Sequence, residues 1–252
     1  MRKLVTLMLF VSFVTILSCS KKEKPMESEF DRFAPLTDQQ VSELLEKAKS
    51  NSSAQPVDPM KVLTEDEIND ILATVAATQV EQIADKEIAL LETNVGTLAI
   101  AFYTDVAPEH CKGFKRLVTS GFYNGTKFHR IIDGFVVQGG DILTRDANPD
   151  NDGTGGPGYT LPAEFNGIPH DLGILSMARS QDPNSAGSQF FICLSRQGTA
   201  PLDGKYTVFG KVIGGLDVVQ KLGKTPTMMN KFGEKSSPVE PVYIQNAYMV
   251  TR

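Results

Sequence analysis

Apolar positions fall along this chain in three different rhythms. Residues 4–17 form a mostly apolar run between Arg2-Lys3 and Cys19-Ser20-Lys21-Lys22. Between 37 and 85 the spacing becomes helical. Val41, Leu44, Leu45 and Ala48 follow the capping-box pattern Thr37-Asp38-Gln39-Gln40, and Ile68, Ile71, Leu72, Val75 and Ile83 form a second stripe after Thr64-Glu65-Asp66-Glu67. Ser, Gln and two prolines between Asn51 and Pro59 separate the two helices. After Asp85 short apolar segments alternate with turn residues. Strands are predicted over 88–92 and 97–103 around the turn Asn94-Val95-Gly96, followed by a helix over 108–120 with Pro108 in its first turn. Residues 144–170, rich in Asp, Asn, Gly and Pro, read as loop. A strand over 207–212, a short helix over 216–222 and a closing strand over 242–250 complete the pattern. Many short strands with two helices predict a mainly β fold, a closed antiparallel barrel capped by helices. His110 is expected to be exposed on its helix, and Cys111 and Cys193 to lie in the core.

Composition narrows the function classes. A net charge of −5 and a pI near 5.3 offer no basic field for polyphosphate, so no nucleic-acid partner is expected. His110, His129 and His170, with Cys19, Cys111 and Cys193, show no metal-ligand spacing, and neither a metal nor a cofactor is expected. Gly153-Thr154-Gly155-Gly156-Pro157-Gly158 formally matches a dinucleotide fingerprint, but no strand pattern precedes it and Pro157 disfavours the helix that should follow.

The first apolar run is too short and too abruptly ended for a membrane-spanning helix and reads as an export signal over residues 1–18. Its end, Ile16-Leu17-Ser18-Cys19, resembles a bacterial lipobox. That resemblance implies a lipid anchor on Cys19 and a place in the bacterial cell envelope, outside the cytoplasm and facing the periplasm or the surface. Residues 19–36 then form a flexible tether, 37–85 a helical arm and 86–252 the main domain. The arm's apolar stripe either packs on the domain or serves partners or dimerisation.

The stretch around which the domain is organised is Phe128-His129-Arg130-Ile131-Ile132-Asp133-Gly134-Phe135-Val136-Val137-Gln138-Gly139-Gly140-Asp141. Asp133-Gly134 between two apolar runs predicts a hairpin with positive φ at both turn residues. A strict two-residue turn would put Arg130 and Phe135 on one face and Val136 and Gln138 on the other, so a shared site requires an extra residue between them. Ser176-Met177-Ala178-Arg179 and Gly187-Ser188-Gln189-Phe190-Phe191-Ile192-Cys193 supply further polar groups and aromatics. With Gly121-Phe122-Tyr123, Ala163-Glu164-Phe165, Leu202-Asp203-Gly204-Lys205 and Val208-Phe209-Gly210-Lys211-Val212 in the same order, the chain from about Lys86 onward resembles the cyclophilin-type peptidyl-prolyl isomerases.

The resemblance implies a barrel of eight strands with two capping helices, and acceleration of Xaa-Pro bond rotation in Pro-containing polypeptides, here exported proteins that need help to fold. It implies that Arg130 is the catalytic cation and that Gln138 helps to orient it. Phe135, Val136, Phe191, Leu202 and Tyr206 match the walls of the proline pocket. Ala178 and the main chain of Arg179 match the substrate-backbone site, and Gln189 the neighbouring subsite. Val136 stands where the family often has Met, Tyr206 where it often has His, and Pro201 where many members carry Trp; the last departure implies weak cyclosporin binding. His129 has no carboxylate or nucleophile near it in sequence and reads as a hydrogen-bonded structural residue. A second reading, a membrane-tethered binding module or chaperone for Pro-containing segments with little turnover, stays open on the residues alone, although Arg130 favours the enzyme.

Overall fold

The computed structural model describes residues 32–52 and 57–252, so the proposed leader, Cys19 and most of the tether lie outside the described residues. Phe33–Arg252 form one compact unit. Helices α1 (Asp38–Asn51) and α2 (Glu65–Ala77) both open on a capping box: Thr37 and Thr64 accept from the main-chain N–H three residues on, while Gln40 and Glu67 reach back to the cap N–H at 2.9 Å. Their stripes are spent on the domain. Val41, Leu45 and Ala48 cover Ile88, Leu90, Ala99, Ala101 and Ile213, while Leu63, Ile68 and Val75 join the main core. Main-chain bonds fasten the arm at two points, Leu36 N–H to the Ile213 carbonyl (2.6 Å) and Leu63 N–H to the Arg145 carbonyl (2.8 Å).

The main sheet has eight antiparallel strands: β1 (Glu87–Thr93), β2 (Gly96–Phe102), β3 (Arg130–Ile132), β4 (Val136–Gly139), β5 (Ile174–Met177), β6 (Phe190–Cys193), β7 (Val208–Gly214) and β10 (Ile244–Thr251). Their order is β10-β1-β2-β7-β5-β6-β4-β3. No ladder joins β3 to β10. The seam is bridged ahead of β3 and at the start of β10, where Phe128 N–H meets the Val242 carbonyl (2.8 Å) and Ile244 N–H meets the Thr126 carbonyl (2.9 Å), and the sheet curls into a half-barrel. Helix α3 (Pro108–Thr119) fills one side of the core with Phe114, whose ring lies within 5.7 Å of Phe102, Tyr123, Phe190 and Phe209. Helix α5 (Leu216–Gly223) adds Val218, Val219 and Leu222. Between them runs the short α4 (Arg196–Thr199).

Two features depart from the sequence-based expectations. His110 is fully buried, because the loop carrying Glu164 folds over the start of α3. The Glu164 carboxylate accepts the main-chain N–H groups of Glu109 (3.1 Å) and His110 (3.0 Å) and lies 2.6 Å from His110 Nδ1, capping a helix whose own Ala107 cannot. The second feature is a hairpin that the apolar pattern does not announce, β8 (Thr227–Met229) paired with β9 (Lys235–Pro238), between α5 and β10.

Candidate active site

The register of β3 and β4 decides which side chains meet. Arg130 pairs with Gln138 and Ile132 with Val136, so the turn holds three residues, Asp133, Gly134 and Phe135. Only Gly134 has positive φ (+70°), and Phe135 N–H closes the turn on the Ile132 carbonyl at 3.0 Å. The expected two-residue turn is therefore replaced by one with an extra residue, which brings Arg130, Val136 and Gln138 to a common face. The turn is seated on α4: Ser195 Oγ donates to the Gly134 carbonyl (2.6 Å), and the Phe135 carbonyl accepts Leu194 N–H (2.9 Å). A methyl group on Gly198 would lie 2.2 Å from the Gly134 oxygen, so this approach depends on glycine.

Across the next strands the same face continues through Phe191, opposite Gln138, and Ser176, opposite Phe191. The alternate row, Ile131, Val137, Ile192 and Leu175, is buried in the barrel core. One transverse row on the outer face thus carries a cation, an amide, a ring and a hydroxyl. The guanidinium carbon of Arg130 lies 5.8 Å from the Phe135 ring centre. Phe191, 5% exposed, meets Tyr206 edge-on at 5.6 Å. Val136 is 2% exposed and forms floor rather than rim, and Leu202 ends the one-turn helix Ala200–Leu202 that follows α4.

Beside these rings lies a hollow of about 760 Å³, lined by Gln138, Gly155, Gly156, Tyr159, Ala178, Arg179, Gln189 and, from the arm, Leu72. Gln189 Nε2 donates to the Gly155 carbonyl (2.9 Å), and its Oε1 accepts from Gln138 Nε2 (3.2 Å). Ala178 N–H donates to the Gln189 carbonyl at 2.8 Å. The Arg179 guanidinium folds back over Tyr206, 4.8 Å from its ring centre, and donates to the carbonyls of Lys205 and Ser180. A somewhat larger hollow, about 840 Å³, lies between the end of α1 and β10 and is lined by none of these groups.

Two elements of the site are absent from the sequence reading, and a third departs from it. The first is the partner of Arg130. Gln138, directly opposite, gives its amide to Gln189, while Arg130 Nε and Nη2 donate to the two carboxylate oxygens of Glu234 at 2.7 and 2.8 Å. A bidentate, charge-assisted pair outcompetes a neutral amide for the guanidinium. Arg130 also holds the Glu234 carboxyl below its ordinary range.

The second is a brace beneath Phe191. His170, fully buried and stacked 5.9 Å from the Phe191 ring, has Nε2 2.9 Å from Ser176 Oγ and Nδ1 3.1 Å from Asp203, which Arg196 grips at 2.9 and 2.6 Å. The connectivity is that of a nucleophile, base and orienting acid. Ser176 is fully buried, so no substrate reaches it and the network supports the pocket wall. Burial, opposed by Asp203, lowers the His170 pKa, and the Arg196 hydrogen bond depresses that of Asp203.

The third is His129. Its two ring nitrogens are buried and have no hydrogen-bond partner, contrary to the hydrogen-bonded role expected, because its neighbour Asp141 spends its carboxylate on the N–H groups of Leu143 (2.8 Å) and Gly153 (2.5 Å). Burial pushes the imidazole pKa down to about 4; Asp141 opposes this and Arg130 adds to it.

Comparison with known proteins fits this arrangement. Residues 88–249 match the family model described as cyclophilin type peptidyl-prolyl cis-trans isomerase/CLD. A Brucella abortus protein described as a probable peptidyl-prolyl cis-trans isomerase is 43% identical over 161 residues, 61% of this chain and 81% of the relative. A peptidyl-prolyl cis-trans isomerase of Synechococcus elongatus is 46% identical over 123 residues, 49% of this chain and 78% of the relative. The crystal structure of a cyclophilin type isomerase of Cryptosporidium parvum, obtained in the presence of the dipeptide Ala-Pro, superposes with a TM-score of 0.57 at 33% identity and covers 66% of this chain and 99% of the other. From its outward row of Arg130, Gln138 and Phe191 to its curled eight-stranded sheet, the chain belongs to the cyclophilin-type peptidyl-prolyl cis-trans isomerases.

Proposed function

We propose that this isomerase acts on Pro-containing segments of exported polypeptides, assists their folding, and is held in a bacterial cell envelope by lipid on Cys19. The observation that carries the catalytic part is the guanidinium of Arg130, fixed by Glu234 on the outer face beside Phe135 and in one row with Gln138 and Phe191. Cis and trans Xaa-Pro bonds differ by about 0.5–1 kcal/mol, yet a barrier of about 18–20 kcal/mol, the lost amide resonance, separates them. A catalyst therefore needs to bind the twisted amide better than the planar one and needs no nucleophile.

Phe135, Val136, Phe191, Leu202 and Tyr206 hold the proline ring, and the main chain beside Ala178 and Arg179 holds the preceding residue. A guanidinium offers five N–H groups; Glu234 takes two, and the rest remain for the imide nitrogen, whose lone pair is released only on twisting. Gln138 and Gln189 line the subsite beyond. Pro201, exposed at the rim, offers no indole N–H or broad ring, so cyclosporin binds weakly.

The envelope part rests on the apolar run that ends at Cys19. Among the described residues no helix is long and apolar enough to cross a membrane. A second reading, holding non-native chains without turnover, has one observation in its favour: Met228, Met229 and Phe232 on the β8–β9 hairpin are 49, 65 and 78% exposed. One experiment separates these readings. The full chain is made in a bacterium fed labelled fatty acid, and the membrane fraction is assayed on an Xaa-Pro peptide. Label lost together with membrane attachment in Cys19→Ala, with isomerisation intact, is expected. Unlabelled soluble protein would remove the anchor, and labelled protein that binds the peptide without turnover would favour the holding role.

A further inference from the structure

We infer that Glu234 is a positioning residue for the isomerase reaction, setting the plane and depth of the Arg130 guanidinium at the groove. The inference rests on Arg130 being the catalytic cation. An arginine side chain has four rotatable bonds, and in Arg130 it springs from the first residue of a three-residue strand, with 29% of the side chain exposed. Strand register fixes where it starts but not where its charge ends. The two parallel bonds to Glu234 do, since a fork meeting two carboxylate oxygens has one coplanar arrangement.

The holder is itself held. Asn230 Oδ1 accepts the main-chain N–H of both Phe232 and Glu234 at 2.9 Å, and Asn230 N–H donates to the Glu234 carbonyl at 2.8 Å. Gly233 supplies the positive φ (+79°) that the tight turn needs, and Asn230 Nδ2 donates to the buried Ser236 Oγ at 3.2 Å. The tip is anchored on its far side too, through Lys231 to the Asp150 carbonyl. A freely solvated carboxylate at the end of a mobile loop would add little to an exposed arginine. A carboxylate on a turn fastened at both sides acts as a fixed rest. The site therefore extends beyond the barrel strands to the β8–β9 hairpin.

Glu234 also withdraws part of the positive charge from the groove. Orientation outweighs this, because a misplaced donor at the twisting amide loses far more than a partly neutralised but aligned one. Glu234→Gln, which keeps shape and loses charge, should lower kcat about 10-fold, short of the ~100-fold that full misplacement costs. KM should stay within about 2-fold, because proline binding is left to the apolar walls. Glu234→Asp, with the charge kept but set one methylene back, should recover part of the loss.

The decisive measurement is the double variant. With Arg130→Ala already present, Glu234→Gln should cost no further turnover, whereas a merely structural role would lower kcat and melting temperature equally in both backgrounds. Wild-type or raised kcat in Glu234→Gln, or additive losses in the double variant, would overturn the inference. If Arg130→Ala alone kept full turnover, the role of Arg130 would fall and that of Glu234 with it; a crippled Arg130→Ala enzyme beside an unimpaired Glu234→Gln one would remove Glu234 alone.

Discussion

Two arginine–carboxylate forks flank the proposed proline pocket, and they work in opposite senses. In one, Arg130 faces the groove and Glu234 stands behind it; in the other, Asp203 turns inward to His170 and Arg196 stands outside. The first pair presents a cation to the substrate side with donors left over. The second delivers an anion to a buried imidazole, favouring a proton on Nδ1 and an Nε2 that can accept from Ser176. Which partner faces the pocket separates a group suited to chemistry from one suited to support.

Removing the front cation should give the largest effect. Arg130→Ala is expected to lower kcat about 100-fold to 1000-fold, the usual cost of one preorganised donor at developing charge, with little change in KM. Arg130→Lys should recover only part, because a point charge lacks the fork. Steady-state isomerisation of an Xaa-Pro peptide, with circular dichroism to confirm folding, checks both. Near-normal turnover in folded Arg130→Ala would remove the cation from the mechanism.

The back layer should show itself in acid. Burial lowers the pKa of His110, His129 and His170, that of His129 from 6.5 to about 4. At these sites the unfolded chain binds protons that the fold does not, so the histidines' contribution to stability is full above about pH 6.5 and declines toward pH 4, while Asp152, whose carboxyl is pushed up to about 6 by burial, acts in the opposite sense. At about 1.4 kcal/mol per tenfold change in proton affinity, His129 alone accounts for about 3 kcal/mol. Turnover per folded molecule should stay flat between about pH 6 and 8, since twisting the amide transfers no proton. Urea melts at several pH values test this, and His129→Phe, a ring with no proton to take up, should flatten the decline. An identical pH dependence in the wild type and His129→Phe would contradict it.

Much of the front of the site was legible in the sequence and little of the back. The apolar alternation around Arg130, Gln138 and Phe191 marks an outward row once strands are assumed, because period 2 ties polar identity to a face. The length of the turn was not legible: Asp-Gly serves both two-residue and longer hairpins, and the choice was made by the seat that Gly198 and Ser195 offer to Gly134. Glu234 lies 104 residues from Arg130, and no local periodicity reports such a pair. Its hairpin did leave a trace, since Asn230-Lys231-Phe232-Gly233 is a turn signal, but the Lys-Ser-Ser-Pro segment that follows has no apolar alternation to mark a strand. His110 was misjudged because burial by a remote loop cannot be read from a residue's neighbours, and His129 because Asp141 spends its carboxylate on main-chain N–H groups.

At the rim, Pro201→Trp tests the same division with a smaller effect. Pro201 is exposed after α4, outside both forks, so a new indole there should add a donor and ring surface without disturbing either. Cyclosporin affinity should rise by about 1–3 kcal/mol, while turnover on short peptides changes little. Calorimetric titration measures the first and the peptide assay the second. Unchanged affinity would mean that another part of the pocket limits the ligand.

The smallest effect is expected where the arm meets the groove. Leu72 on α2 is partly buried and contributes an apolar side to a hollow otherwise lined by Gln138, Gly155, Gly156, Tyr159 and Gln189. In the proposed binding mode, with proline beside Phe191 and the preceding residue at Ala178 and Arg179, this hollow would receive a side chain further toward the substrate's N-terminus. Leu72→Ala should therefore raise KM about 5-fold, or about 1 kcal/mol of lost apolar contact, for peptides with a large apolar residue two places before proline. Their kcat should hold, because the wall touches planar and twisted amides alike. A peptide with alanine at that place should show almost no change. Competition between the two peptides on one enzyme sample measures the ratio directly and cancels errors in active concentration. An equal loss on both peptides would assign Leu72 to packing of α2 on the barrel, and a drop in kcat would carry the arm's influence as far as Arg130.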